Sequence, residues 1–317
     1  MSTMTGQVAL VTGATSGIGR AVATDLARRG ATVIVVGRDP YKARDAQAAI
    51  RLGTGNDTVV AEAADLASQA EIRAMAARVR ARFPRLHLLV NNAGGISMER
   101  RLTVDRIETT LAVNHLAPYL LTRLLTDALV AAAPARVVTV ASEMHRLARV
   151  DLDDLQGVPR YDAVRAYSLT KALNILFTIE LARRLEGTGV VANAVHPGGV
   201  DTGIWRGVRG WRRWPILAMR PFLASPERGA EGPLMLAVDP AYAGVTGRYF
   251  NRRKESRPAP AACDPETAAR LWEISATLAP QSAPDGGPGD GTSDAALANL
   301  SAFSKRSRPI RSTTPER

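Results

Sequence analysis

Two residues of this 317-residue chain have the types and spacing for acid–base chemistry: Tyr167 and Lys171. The stretch 167–186 is predicted to be a helix, and residues four apart on a helix project from the same face. A phenol with a pKa of about 10 is almost fully protonated at neutral pH, and a nearby ammonium stabilises its phenolate. The pair therefore suits proton transfer at an alcohol or carbonyl oxygen. The same spacing also occurs on surface helices, so whether the pair is catalytic depends on the elements that position it.

A second chemical pattern lies near the N-terminus, where Gly13, Gly17 and Gly19 follow the apolar run 7–12. That run is predicted to be a strand buried on both faces; a helix (20–29) and a second buried strand (31–36) follow. This order, within about thirty residues, is the dinucleotide-binding unit. Gly13 allows the tight turn, Gly17 lets the backbone approach a pyrophosphate, and Gly19 lets the helix pack closely. The helix N-terminus supplies amides for the phosphates.

The glycine spacing, G-x-x-x-G-x-G from Thr12 to Gly19, resembles that of the short-chain dehydrogenase/reductase family. Later motifs follow in the family's order: Asn-Asn-Ala-Gly at 91–94, Ser142, the Tyr167/Lys171 pair, and Pro197-Gly198. The resemblance covers roughly residues 6 to 278. It implies one α/β domain over 1–279, a Rossmann-type doubly wound parallel sheet of about seven strands with helices on both faces.

In an open parallel sheet the ligand lies beyond the carboxyl ends of the strands, which predicts that Gly13, Arg38, Asn91 and Ser142 share one edge. The resemblance implies a nicotinamide cofactor along this edge. The implied cofactor-binding residues are Gly13, Thr15, Ser16, Gly17, Ile18, Gly19, Arg38, Asp65, Leu66, Asn92, Ala93, Gly94, Tyr167, Lys171, Pro197, Gly198, Val200 and Thr202.

The residue that follows the second strand faces the adenosine ribose, and here it is Arg38. A carboxylate there would bind the 2′-hydroxyl and repel a 2′-phosphate, whereas a guanidinium pairs with a phosphate. We therefore predict NADP(H) in preference to NAD(H). The competing candidate, Asp39, is predicted instead to cap the next helix, with Pro40 at the first helical position.

Two polar residues have alternative interpretations. The resemblance places Asp65 and the Leu66 backbone beside the adenine, but Ser68 and Glu71 follow and make a helix cap equally compatible. Asn114 lies in a helical region predicted over 103–133, either as a satisfied buried asparagine or as part of a helix irregularity that holds a water. Pro118 favours the irregular turn, because it removes a helical hydrogen bond.

The resemblance assigns catalysis to Ser142, Tyr167, Lys171 and Asn114. In that scheme Tyr167 is the acid/base, Lys171 lowers its pKa and contacts the nicotinamide ribose, Ser142 orients the substrate oxygen, and Asn114 supports a water relay. The predicted function is an NADP(H)-dependent interconversion of a carbonyl and an alcohol. A non-catalytic nucleotide-binding regulator and a membrane-peripheral protein are the alternatives. Substrate identity and the direction of the reaction stay open.

Two segments are expected to set specificity. The long loop 143–162, with Asp153-Asp154-Leu155, resembles the branch that includes retinol dehydrogenases and protochlorophyllide reductases, although Glu143 departs from that branch. Residues of about 200–225 correspond to the family's mobile substrate lid. The lid's tryptophans suit a bulky hydrophobic substrate; its arginines suit an acidic substrate or weak contact with an anionic membrane surface, and a solvated basic helix is the plain alternative.

Composition narrows the class of protein. The net charge is +11, but no nucleic-acid motif accompanies it, so we expect no nucleic-acid partner. Cys263 is the single cysteine and the four histidines show no zinc-site spacing, so no metal is expected. A single cysteine also fits a reducing compartment, so we expect a cytoplasmic location. Family relatives pair through long helices, which implies a homodimer or homotetramer. Residues 280–317 are rich in Pro, Gly and Ser and are predicted to be a disordered tail.

Overall fold

The computed structural model describes residues 3–200 and 223–282, and they contain one eight-stranded sheet. The strands are β1 (Val8–Thr12), β2 (Thr32–Gly37), β3 (Val60–Ala63), β4 (Leu88–Asn91), β5 (Ala135–Val140), β6 (Val190–His196), β7 (Tyr249–Asn251) and β8 (Lys254–Glu255). Their order is β3-β2-β1-β4-β5-β6-β7-β8. The first seven are parallel, and β8 is antiparallel to β7. The predicted doubly wound α/β fold is confirmed; the two-residue β8 is an addition.

Helices cover both faces of the sheet. They are α1 (Gly17–Arg28), α2 (Pro40–Thr54), α3 (Gln69–Arg82), α4 (Thr109–Leu111), α5 (Ala117–Ala131), α6 (Ala163–Arg184), α7 (Pro226–Val238) and α8 (Pro265–Leu278). Neighbouring β1 side chains face opposite cores, as strand geometry requires. Leu10 packs with α3, α5, α6 and α8, and Val11 packs with α1, α2 and α7. None of the helices in the described ranges has the length and apolar character needed to cross a bilayer.

The predicted helical region 103–133 is shorter and is interrupted. Arg106 has a φ of +59°, and α4 begins only at Thr109. Glu108 caps α4 by accepting hydrogen bonds from the Thr110 and Leu111 amides at 2.8 Å. Helix α6 begins at Ala163, earlier than the predicted start at Tyr167, because the Asp162 carboxylate accepts from the Arg165 amide. Local caps, which the apolar pattern does not report, explain both corrections.

The C-terminal helix α8 packs against α5 and α6 through the aromatic ring of Trp272. The Trp272 ring stacks on Phe177 with centroids 6.0 Å apart and meets the edge of Tyr119 at 5.0 Å. After α8, the Pro280 carbonyl accepts from Arg73 at 2.6 Å, so the first residues of the predicted tail are fixed to α3. The remainder, 283–317, and most of the predicted lid, 201–222, lie outside the described residues.

Candidate active site

The glycine turn leaves the amides at the start of α1 without a side-chain cap. Gly13 and Gly17 have φ values of +66° and +57°. Ser16 occupies the N-cap position, yet its side chain accepts no backbone N–H. Each of the other described α-helices that starts from an extended residue has a capping side chain, from Asp39 at α2 to Asp264 at α8. Uncapped amides at a helix N-terminus fit the phosphates of a dinucleotide.

A cleft of about 430 Å³ opens beside this N-terminus, lined by Thr15, Ser16, Arg20, Lys42, Asp45, Ala46 and Ala49. Arg38 is exposed nearby at the end of β2, and no carboxylate in the described part of the chain pairs with it. Asp39 is occupied, because its carboxylate accepts from the Tyr41 and Lys42 amides at 2.9 and 3.3 Å. The predicted capping role of Asp39 is confirmed.

The Asn-Asn-Ala-Gly turn packs directly on the glycine turn. The Asn92 side chain donates to the Thr12 carbonyl at 2.8 Å, and Thr12 Oγ1 accepts from the Asn92 and Ala93 amides at 3.0 Å. A Cβ on Gly13 would lie 2.9 Å from the Ala93 Cα. Thr12 was missed as a site residue, although its position directly before Gly13 could have indicated it.

Two further predicted segments have defined contacts. The Asp65 carboxylate accepts from the Ala67 amide in the turn before α3, and Ser68 rather than Asp65 caps that helix. The interpretation of Asp65 as the helix cap is therefore wrong, and its adenine contact stays a prediction. After β6, Gly198 has a φ of +97°. Val200 and Ile18 converge on Gly229, where an added Cβ would lie 2.6 and 3.0 Å from their side chains. Thr202 lies outside the described residues.

Asn114 occupies the predicted helix irregularity, a π-helical turn at Ala112–Leu116. Pro118 has no N–H to donate to the Asn114 carbonyl. One residue earlier, the Ala117 amide donates to the Ala112 carbonyl, which is the five-residue spacing of a π-helix. The Asn114 side chain exchanges two 2.8 Å hydrogen bonds with the Gly95 backbone and donates to Thr170 Oγ1 at 3.1 Å. Asn114 therefore ties the cofactor edge to α6.

The phenol of Tyr167 is buried, and the Ser142 side chain lies close enough to act on its pKa. Burial raises the Tyr167 pKa to about 12, and the interaction with Ser142 opposes that rise. Lys171 Nζ donates to the Val140 carbonyl at 2.9 Å and lies 5.4 Å from the Tyr167 ring centroid; burial lowers the Lys171 pKa to about 8. The rise in the Tyr167 pKa comes from burial, and Lys171 Nζ is directed at a backbone carbonyl; the role of Lys171 in lowering the Tyr167 pKa stays a prediction.

Parallel pairing brings the predicted edge together. Residues that follow β1, β2, β4, β5 and β6 emerge at the same carboxyl edge, as predicted. A Cβ on Gly94 would lie 3.3 Å from Asn114 Oδ1 and 3.6 Å from Lys171 Nζ, so both polar groups border that glycine. Within residues 3–200 and 223–282, no group of three or more His, Cys, Asp or Glu side chains is arranged to hold a metal ion.

The loop 143–162 folds back over the segment 95–108. The Tyr161 hydroxyl donates to the Ser97 carbonyl at 2.8 Å, and Arg100 donates to the Gln156 carbonyl at 3.1 Å. The Gln156 side chain accepts from the Glu108 amide at 3.0 Å. The sequence contained no signal for these contacts, because the partners are far apart in the chain and share no motif.

A model of the short-chain dehydrogenase family matches residues 7–213. The chain belongs to the short-chain dehydrogenase family. It is 41% identical over 277 residues to Retinol dehydrogenase 12 of Mus musculus, which covers 86% of each chain. The family assignment makes this protein an oxidoreductase of the retinol dehydrogenase-like branch.

Two solved structures show the same architecture with a nicotinamide nucleotide bound. One is 3-ketoacyl-(acyl-carrier-protein) reductase from Brucella melitensis complexed with NADH, at 27% identity and a TM-score of 0.61, covering 78% of this chain and 97% of that one. The other is the Pseudomonas aeruginosa RhlG/NADP complex, at 26% identity and a TM-score of 0.64, covering 78% and 95%. A nicotinamide cofactor is thus common to these relatives, and both forms occur among them.

Proposed function

We propose that this protein uses NADP(H) to interconvert a carbonyl and an alcohol on a hydrophobic substrate. The observation that carries the proposal is the approach of the Ser142 side chain to the buried Tyr167 phenol, at the sheet edge where the uncapped start of α1 lies. A bound nicotinamide supplies or accepts the hydride at the substrate carbon. The protein supplies the proton, the orientation and the buried surroundings.

Each proposed catalytic residue has a separate role. Tyr167 gives its proton to the oxygen during reduction and takes a proton from the alcohol during oxidation. Ser142 donates a hydrogen bond that orients the oxygen and stabilises developing charge. Lys171 contacts the ribose and provides the nearby positive charge, and Asn114 supports a water relay to it. The Asn114–Thr170 hydrogen bond supports this placement, since Thr170 Oγ1 donates to the Tyr167 carbonyl at 2.8 Å.

The preference for NADP(H) rests on Arg38. Its guanidinium is available for a 2′-phosphate, whereas the neighbouring Asp39 carboxylate, which could have bound a 2′-hydroxyl, caps α2. Arg20 and Lys42 place two cations in the cleft at the α1 N-terminus. Because cells keep NADP(H) largely reduced, this preference favours reduction as the physiological direction.

Exposed apolar side chains in the segment between Ser142 and Tyr167 support a hydrophobic substrate. Leu147 and Val158 of the 143–162 loop are 69% and 65% exposed, and Val164 on the first turn of α6 is 43% exposed. Exposed apolar groups close to a site provide a surface for an apolar ligand. The name of the retinol dehydrogenase relative makes a retinoid the first compound to test, with the lid at about 200–225 as the remaining wall.

A substrate panel tests the proposal. Retinoid, steroid and polyketide-like carbonyls and alcohols are each incubated with NADPH or NADH, or their oxidised forms, and the absorbance of the reduced nicotinamide is followed. We expect turnover of a bulky apolar compound at a higher kcat/KM than that of a short polar analogue. Failure of every carbonyl and alcohol with both cofactors contradicts the proposed function.

We also propose a cytoplasmic protein that forms a homodimer or homotetramer, with weak contact between the Trp/Arg segment 205–220 and anionic membrane surfaces. The single Cys263 supports a reducing compartment. Light scattering of the purified protein measures the assembly. Flotation with neutral and anionic liposomes measures the membrane contact, and equal flotation with both excludes an electrostatic contribution.

A further inference from the structure

The 3₁₀ turn Glu143–Leu147 directly follows Ser142 and contains a buried histidine. One ring nitrogen of His145, Nδ1, lies 2.7 Å from the Ser142 carbonyl oxygen. The other, Nε2, accepts a hydrogen bond from the Ala259 amide at 3.1 Å. A backbone N–H can only donate, so Nε2 carries no proton. The neutral ring must then carry its proton on Nδ1, which donates to Ser142.

Two other side chains of the same turn reach the same C-terminal region. Arg146 donates to the Arg257 carbonyl at 3.0 Å, and Glu143 accepts from the Tyr249 hydroxyl at 2.6 Å. The turn is therefore fastened to β7 and to the segment after β8. His145 differs from the other two in that its second hydrogen bond ends on the backbone of Ser142 itself.

We propose that His145 is a positioning residue that holds Ser142 against Tyr167 by joining the Ser142 carbonyl to the Ala259 amide. The role rests on the proposed function, because Ser142 and Tyr167 are its proposed catalytic residues. A fixed carbonyl restricts the Ser142 backbone and hence the direction of its hydroxyl, and small displacements of a reacting group are costly. The neighbouring Glu143 does not share this role, because its carboxylate accepts from Tyr249.

Burial favours the neutral form of His145, while the Ser142 carbonyl and the Glu143 carboxylate oppose it. From its own turn, Glu143 raises the His145 pKa and Arg146 lowers it. The Tyr249 ring of β7 meets the His145 ring edge to face, with centroids 5.0 Å apart, and His196 faces it from β6. Burial lowers the His145 pKa. A protonated ring would also place an Nε2–H against the Ala259 N–H, so the bridge requires the neutral imidazole.

The kinetic test compares His145→Ala, His145→Asn and His87→Ala. His87 is a matched control, because its Nδ1 also accepts a backbone amide, from Val8 at 3.1 Å, at the opposite edge of the sheet. For His145→Ala we expect a roughly tenfold loss of kcat with an unchanged cofactor KM. Oxidation of an alcohol requires deprotonated Tyr167, and the interaction with Ser142 lowers the Tyr167 pKa. Loss of that interaction in His145→Ala should therefore raise the pH of half-maximal rate in the oxidation direction. Asparagine keeps a donor near Nδ1 and should restore most of both properties.

A result in which His145→Ala lowers Tm as His87→Ala does, but leaves kcat and the pH profile unchanged, overturns the positioning role. An independent readout uses the ¹⁵N shifts of the four histidines in the full-length protein. We expect the Nδ1–H tautomer for His145 and the Nε2–H tautomer for His87. An Nε2–H tautomer at His145 overturns the positioning role, and this measurement needs no substrate. A failure to turn over any test substrate contradicts only the proposed function.

Discussion

The cofactor turn and the Ser142–Tyr167 region meet at one sheet edge but are built in different ways. In the turn, the backbone provides the function: positive φ at Gly13 and Gly17 and uncapped amides at α1. In the second region, side chains provide it, and distant segments hold them, as Ala259 does through His145. The turn therefore depends on the absence of side chains at a few positions, whereas the proposed catalytic pair, Ser142 and Tyr167, depends on several tertiary hydrogen bonds.

The variant expected to separate the two regions most strongly is Tyr167→Phe, because it removes the proposed proton donor and keeps the aromatic ring. We expect kcat to fall by about 10³-fold, within the range of general acid–base catalysis. The cofactor Kd should change little, because the glycine turn is intact. Steady-state kinetics and a fluorescence titration of NADPH measure the two quantities. Turnover at the wild-type rate would show that Tyr167 is not the acid/base.

The converse change is Gly19→Ala in the turn. Its Cβ would lie 2.4 Å from Asn92 Nδ2 and 2.5 Å from the Gly13 carbonyl oxygen, which is backbone. We expect a loss of about 2 kcal/mol in unfolding free energy from overpacking, with cofactor affinity weakened about 100-fold.

Gly53→Ala is the matched control for Gly19→Ala, because it lies inside α2 with no atom within 4 Å of the added Cβ. It should gain about 0.5–1 kcal/mol of stability from helix propensity. Urea unfolding and NADPH titration compare the two variants. Equal cofactor affinity in both variants contradicts the close approach of the turn to the cofactor.

A finer test concerns selectivity within the cofactor edge. Arg38→Asp replaces a phosphate partner by a group that repels phosphate and accepts from a ribose hydroxyl. We expect the kcat/KM ratio of NADPH to NADH to fall by about 10- to 100-fold. Arg44→Asp makes the same charge change on an exposed position of α2 and should leave the ratio unchanged. A ratio unaffected by Arg38→Asp removes the basis for NADP(H) preference.

The smallest expected effect tests the side-chain network behind Asn114. His115 is fully buried in the π-helical turn, with Nε2 2.9 Å from Ser275 Oγ, and burial lowers its pKa to about 4. The unfolded histidine binds a proton below about pH 6.5, so its contribution to stability is complete above that pH. As the pH falls from about 6.5 to 4, unfolding free energy should drop by on the order of 1–3 kcal/mol.

Denaturant unfolding of the wild type and His115→Gln at pH 7 and pH 5 isolates this term. The glutamine variant starts less stable but should lose less stability between the two pH values. An identical pH dependence in both proteins would mean that His115 does not titrate with unfolding. The other histidines are unchanged in the pair and cancel in the difference.

Some of the site could be predicted because its determinants are local. The order of apolar runs predicted the parallel sheet, and the capping role of Asp39 followed from Asp39-Pro40. The start of α6 was misplaced by four residues, since Asp162 caps it from within a polar loop. The rise in the Tyr167 pKa could not be predicted for a different reason: spacing shows that Lys171 is near, but not where Nζ points or how much solvent is lost.

The amino-acid sequence by itself determined the fold class, the glycine turn and the helical pairing of Tyr167 with Lys171. These properties depend on backbone freedom and on side-chain periodicity within a few residues. Tertiary structure alone decided that Ser142 contacts Tyr167, that Asn114 bridges Gly95 and Thr170, and that His145 joins Ser142 to Ala259. Each of these contacts joins groups from separate segments, and their distances and desolvation arise only when the sheet and its helices are packed.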